Sequence, residues 1–147
     1  VRILWVDDEV ELLKPHVLFL RSKGYEVDTC NNGYDAIDMA AEGAYDLIIL
    51  DPPAFAKHKD ALRNALQGYR KLNAKAFEKI KPGGILFTFS CSQAVTKDNF
   101  RTAVFTAAAM SGRSVRILHQ LTQPADHPVN IYHPEGEYLK GLVLYVE

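Results

Sequence analysis

Leu47-Ile48-Ile49-Leu50 is an unbroken apolar run, bounded by Asp46 and Asp51 and halted by Pro52-Pro53. A run this short, apolar on both faces and stopped by residues that lack a ladder donor, predicts a central parallel strand that ends at or near Asp51. Parallel neighbours need crossovers, and the preceding residues supply them. Arg2 to Val6 predicts a first strand. Asp8 is placed to cap a helix reaching about Lys23, which Gly24 closes, with Pro15 expected to kink its second turn. Tyr25 to Thr29 predicts a second strand, and Asn32 is placed to cap a helix over Tyr34 to Glu42, stopped by Gly43. The order β-α-β-α-β demands a parallel sheet with right-handed crossovers. Ligands of such sheets bind at the carboxyl ends of the strands, which puts Asp51 where chemistry is expected.

Beyond the prolines, Leu62, Leu66, Tyr69, Leu72, Ala76 and Phe77 recur at close to a helical period, predicting a helix over Asp60 to Lys79 that Pro82-Gly83-Gly84 ends. Ile85 to Ser90 predicts a strand opening onto Cys91-Ser92. Lys97 to Met110 predicts a helix, and Ser114 to Leu121 a further strand. A long loop over 122–138, holding Pro124, Pro128 and Pro134, then leads to a last strand, Leu139 to Val146. Loops of that length are usually functional.

The 147 residues, 48% of them hydrophobic, suffice for one domain spanning 1–147, and no linker composition divides it. The formal net charge of -1 exerts no global pull on nucleic acid or anionic membranes, so nucleic acid is not an expected partner. Cys30 and Cys91 are far apart and stand in no metal-ligand spacing, which fits reduced thiols in a cytoplasmic monomer. The five histidines share no helical face or paired spacing that suits a metal. No signal peptide or membrane span is read, the longest apolar runs being strand-sized. The chain opens on Val rather than Met, which suggests a trimmed end.

Two family resemblances meet at Asp51. The Asp7-Asp8 pair after the first strand, together with Asp51 after Asp46-Leu47-Ile48-Ile49-Leu50, resembles a response-regulator receiver domain of flavodoxin-like fold over residues 1-51. That resemblance implies an acidic pair that binds Mg²⁺ and an aspartate that accepts a phosphoryl group. Three converging carboxylates suit a hard cation, and without one their repulsion raises at least one pKa.

Residues 51-147 resemble the catalytic domain of class I methyltransferases that modify cytosine C5 in large-subunit ribosomal RNA. The matching stretches are Asp51-Pro52-Pro53-Ala54-Phe55-Ala56-Lys57, Gly68-Tyr69, Pro82-Gly83-Gly84-Ile85-Leu86, Phe89-Ser90-Cys91-Ser92, Ala125-Asp126-His127-Pro128-Val129, Pro134-Glu135-Gly136 and Tyr138-Leu139-Lys140-Gly141. The resemblance implies that Cys91 is the thiolate adding to the pyrimidine ring and that Asp51 sits against the reacting base.

Each resemblance lacks its counterpart. The methyltransferase requires a glycine-rich turn for S-adenosylmethionine after its first strand and an acid after its second. Here the turn reads Asp7-Asp8-Glu9-Val10, and the second strand runs into Thr29-Cys30-Asn31-Asn32. The RNA-binding domain that such enzymes carry upstream has no counterpart in these residues. The receiver requires a backbone N–H after Asp51, a hydroxyl that Ser90 can supply, and a lysine at the end of its fifth strand. Pro52 has no N–H, and Ser114 to Leu121 holds no lysine.

The expectation is therefore an engineered chimera joined inside one sheet, because natural fusions join whole domains through linkers. Its doubly wound sheet would be a hybrid of flavodoxin-like and Rossmann-like halves, of order 2-1-3-4-6-5 with the sixth strand antiparallel. No selected activity and no cofactor are expected, save weak Mg²⁺ binding by Asp7, Asp8 and Asp51, with Cys91 and Asp51 as vestigial catalytic residues. The alternatives are a residual S-adenosylmethionine-dependent RNA cytosine-C5 methyltransferase and a phosphorylatable signalling module. An antiparallel sixth strand brings Lys140 near Ser90 and Asp51. Lys140 is then either a partner of the three acids or a solvated rim residue.

Overall fold

The computed structural model describes residues 1–32, 34–38, 40–55 and 61–147. The expected helix start at Asp60, the motif residues Ala56 and Lys57, and His58 lie outside the described residues. One six-stranded sheet runs through the molecule: β1 (Arg2–Asp7), β2 (Glu26–Cys30), β3 (Tyr45–Asp51), β4 (Ile80–Ser90), β5 (Val115–Leu121) and β6 (Lys140–Val146). Its order is β2-β1-β3-β4-β6-β5, with β6 antiparallel to both of its neighbours, the arrangement the family resemblances imply.

Among the described residues, the α-helices are α1 (Lys14–Ser22), α2 (Tyr34–Asp38), α3 (Leu62–Lys79) and α4 (Lys97–Ser111). α2, α3 and α4 bury the larger core, centred on Leu50, Tyr69, Phe77, Leu86, Phe100 and Leu144. α1 covers a smaller cluster of Ile3, Leu13, Val17 and Val27, so the two early crossovers lie on opposite faces, as right-handed connections from a central β1 require. Among the described residues no helix is long and apolar enough to cross a membrane.

Three local expectations are corrected. Asp8 does not cap α1. A 3-10 turn over Val10–Leu13 comes first, and Pro15 falls in the opening turn of α1, where its missing N–H has no helical partner to lose and no kink results. Asn32 makes no side-chain cap among the described residues, and α2 is a single short stretch ending at Asp38.

The third correction concerns Pro82-Gly83-Gly84, which lies within β4 and does not terminate α3. α3 stops at Lys79, and Ile80 is already extended. β4 then bulges, since Tyr45 and Leu47 of β3 pair with Ile80 and Ile85. Gly83 takes a positive φ of 83° there, and a Cβ on Gly84 would lie 3.0 Å from the Asp46 carbonyl, so both positions need glycine.

Candidate active site

The carboxyl ends of β1, β3 and β4 deliver the acids and the thiol to one crevice. Asp7 and Asp51 are register partners on adjacent parallel strands, and their carboxyls hydrogen-bond to each other. Asp7 is buried and also accepts the Glu9 backbone N–H at 2.9 Å, which closes the β1–α1 turn. Burial, then the charges of Asp7 and Asp8, push Asp51 up to about 6. Asp7 is also raised, by burial first, although the Glu9 N–H opposes that shift. Asp51 is therefore the carboxyl of the pair that takes up a proton as the pH falls through about 6. Among the described residues no group of three or more His, Cys, Asp or Glu side chains is arranged to hold a metal ion.

Cys91 follows β4 directly. Its thiol is partly buried and pushed above its ordinary value by desolvation and then by Asp51, with Asp8 adding to the effect and Lys140 opposing it. Cys30, the other thiol, is pushed up to about 11 by burial and by Asp28, which disfavours its thiolate.

Lys140 enters opposite Ser90 as expected, but it is neither a partner of the three acids nor a solvated rim residue. It is 7% exposed, so it is no rim residue, and it makes no ion pair with Asp7, Asp8 or Asp51. The β4–β6 pairing sets Lys140 against Ser90, and its ammonium donates to the Ser92 carbonyl. Burial brings it down to about 8 against the upward pull of Cys91 and Glu137. A groove of about 450 Å³ opens beside it, lined in part by Gln93, Thr96, Lys97 and Glu137.

Ser90 supplies no hydroxyl to the crevice. It is fully buried and donates to the Tyr69 hydroxyl at 2.9 Å, while the Ser92 N–H reaches Ser90 Oγ at 3.3 Å. Tyr69 stands edge-on to Phe55, with ring centroids 4.8 Å apart, and Gly68 leaves room for the Phe55 ring, which would lie 3.4 Å from any Cβ there. Asn73 Nδ2 donates to the Tyr69 carbonyl, and its Oδ1 accepts from Thr88 at 2.7 Å. This buried network ties α3 to the end of β4 and seats the loop after Asp51. The helical period marks Tyr69 only as a core residue; its hydroxyl needed a partner, and that partner lies 21 positions away.

The long loop is braced onto the same end of the sheet. Gln123 Oε1 accepts the Tyr138 N–H at 2.7 Å, Lys97 pairs with Glu137 at 2.8 Å, and Gln93 Nε2 donates to the Glu135 carbonyl.

A parallel sheet with one antiparallel strand inserted before its edge, and a crevice at the strand ends, defines the Rossmann-like methyltransferase fold. The chain superposes on SMU.776 complexed with SAH with a TM-score of 0.69 at 16% identity, covering 98% of this chain and 44% of that one. On the TehB-like SAM-dependent methyltransferase from Corynebacterium glutamicum the TM-score is 0.60 at 11% identity, covering 99% of this chain and 80% of that one. No family model matches.

In sequence the chain is 49% identical over 100 residues to ribosomal RNA large subunit methyltransferase I of Tolumonas auensis, which takes in 68% of this chain and 25% of that protein. It is 46% identical over 102 residues to the protein of the same name from Cronobacter sakazakii, covering 69% of this chain and 26% of that one. The chain thus spans about a quarter of the length of these curated relatives.

These likenesses overturn the expectation of an engineered chimera of receiver and methyltransferase halves. Solved methyltransferases superpose on 98–99% of the chain, the β1–β3 half included, so that half needs no receiver ancestor to explain its fold. Relatives named as ribosomal RNA methyltransferases likewise overturn the expectation of a protein without activity and point to an enzyme.

Proposed function

We propose that this chain carries the base-modifying part of an S-adenosylmethionine-dependent ribosomal RNA methyltransferase acting on cytosine C5, with Cys91 as nucleophile and Asp51 against the base. The observation that carries the reading is the placement of Cys91 at the carboxyl end of β4, facing Asp51 across the crevice. The named relatives support the RNA substrate. The β2-β1-β3 order is common to flavodoxin-like and Rossmann-like sheets and favours neither for the front half. The chain is taken as a single cytoplasmic α/β unit, acting as a monomer.

The chemistry follows from the residues. A thiolate adding to C6 of cytosine forms an S–C6 bond and moves the C5=C6 electron pair onto C5, making that carbon the nucleophile. Protonated below about pH 6, Asp51 can donate to the ring and accept part of the charge that develops.

The β1–α1 turn does not fit S-adenosylmethionine as it stands. Asp7 folds back onto the Glu9 N–H, no glycine lets the backbone approach a ligand, and Asp7, Asp8 and Asp51 present acid where the cofactor has a carboxylate. No step is derived through it.

The test uses large-subunit ribosomal RNA carrying 5-azacytidine, which traps a thiol adduct without a methyl donor. A covalent protein–RNA band that maps to Cys91 and disappears in Cys91→Ser supports the proposal; no band at any RNA concentration overturns it. Labelled S-adenosylmethionine added to unmodified RNA measures methyl transfer separately.

A further inference from the structure

We infer that Ser90 is the positioning residue for Cys91: its hydroxyl oxygen accepts the Ser92 backbone N–H across the cysteine while its proton is held by the Tyr69 hydroxyl, so α3 sets the turn that carries the thiol. The inference rests on the reading of Cys91 as nucleophile.

Cys91 stands one residue beyond the last pair of the β4–β6 ladder, Ser90 with Lys140, and belongs to no helix or strand. A nucleophile on such a turn needs its backbone fixed by something other than the sheet, because an error of about 1 Å at the reacting atom can cost about a hundredfold in rate. Ser90 and Ser92 are both fully buried, on either side of the partly buried cysteine. Both serine side chains bond to the Tyr69 hydroxyl on α3, so alternation along the chain turns the intervening thiol away from that helix.

A serine hydroxyl has one proton to donate and lone pairs with which to accept. Here the proton goes to Tyr69 at 2.9 Å, and a lone pair takes the Ser92 N–H at 3.3 Å. A bond from a serine side chain to the N–H two residues on closes a tight turn around the residue between them. Tyr69 can hold Ser90 in one orientation because its own ring is fixed on two sides, edge-on to Phe55 at 4.8 Å and to Phe100 at 5.6 Å between centroids. Beyond the turn, the Ser92 carbonyl accepts from Lys140. The residue after Cys91 is thus held at its N–H by the last residue of β4 and at its carbonyl by the first of β6. Thr88, two residues before Ser90, is equally buried and donates to Asn73 on the same helix at 2.7 Å, but that bond joins α3 to the ladder and lies short of the turn.

The experiment measures single-turnover adduct formation on large-subunit ribosomal RNA carrying 5-azacytidine, as a function of RNA concentration. Ser90→Ala removes the acceptor of the Ser92 N–H. It is expected to lower the rate at saturating RNA by about tenfold to a hundredfold, with the half-saturating concentration within about twofold of wild type. Ser90→Thr keeps the hydroxyl and is expected to recover most of that loss. Thr88→Val removes a bond of the same helix–strand network and is expected to leave the saturating rate unchanged, which separates positioning from loss of stability. An unchanged rate in Ser90→Ala overturns the proposal, as does an equal fall in Thr88→Val. Amide exchange at Ser92 reads the same contact without RNA: it is expected to quicken about fivefold or more in Ser90→Ala, and unchanged protection overturns the proposal. Wild-type protein that forms no adduct at any RNA concentration removes the proposed function and the positioning role together, whereas a wild-type adduct that Ser90→Ala leaves untouched removes the positioning role alone.

Discussion

Asp7 and Asp51 close adjacent parallel strands in register and share a hydrogen bond between their carboxyls. Two acids from adjacent strands therefore meet at one edge of the crevice, where burial and mutual repulsion raise both above the ordinary carboxylate range.

That pair makes stability depend on pH in a defined direction. The folded Asp51 titrates at about 6, above its unfolded value near 4, so its contribution is fully present below about pH 4 and is lost as pH rises through about 6. Asp51→Asn removes this dependence. The variant is expected to exceed the wild type by about 1 to 2 kcal/mol at pH 8 and to match it at pH 4, as read from urea midpoints at both values. A variant that is less stable than wild type at pH 8 would contradict the raised titration of Asp51.

Tyr69→Phe tests the network beneath the crevice. It removes the acceptor of the Ser90 hydroxyl in a fully buried setting, which is expected to lower stability by about 1 to 3 kcal/mol in denaturant unfolding. The Phe55 contact keeps its ring partner, so a change much smaller than this would mean that the Ser90 hydroxyl finds another partner.

Gly84→Ala tests the bulge. Its Cβ would meet the Ile80 side chain at 2.5 Å and two backbone carbonyls, of Lys81 and Asp46, at 2.9 and 3.0 Å. Backbone cannot yield as a flexible side chain does, so a loss of about 1 to 3 kcal/mol is expected in thermal or urea unfolding. Wild-type stability would show that β3 and β4 separate freely there.

Cys91→Ala is expected to abolish the RNA adduct while leaving the unfolding midpoint within about 0.5 kcal/mol of wild type, because the thiol is small and only partly buried. Cys30→Ser, by contrast, is expected to leave the adduct intact. Loss of adduct in Cys30→Ser and not in Cys91→Ala would move the nucleophile to the wrong strand.

A parallel sheet with Asp51 at a strand end was legible in the residues alone, because apolar runs, proline stops and short crossovers leave few ways to assemble, whereas the full strand order, the antiparallel sixth strand and the convergence of Asp7 and Cys91 on Asp51 were legible only through the family resemblances. What the local pattern misplaced were features decided by partners distant in the chain. Lys140 reads as a charge to be solvated, until β6 pairs with β4 and buries it against the Ser92 carbonyl. Ser90 reads as a site hydroxyl, until α3 brings Tyr69 over it. Pro82-Gly83-Gly84 reads as a helix stop, until the close approach of Asp46 turns it into a bulge. Periodicity records which face of an element is apolar; which polar group finds its partner, and so which one stays free to react, depends on contacts 20 to 50 residues apart that exist only once the sheet has closed.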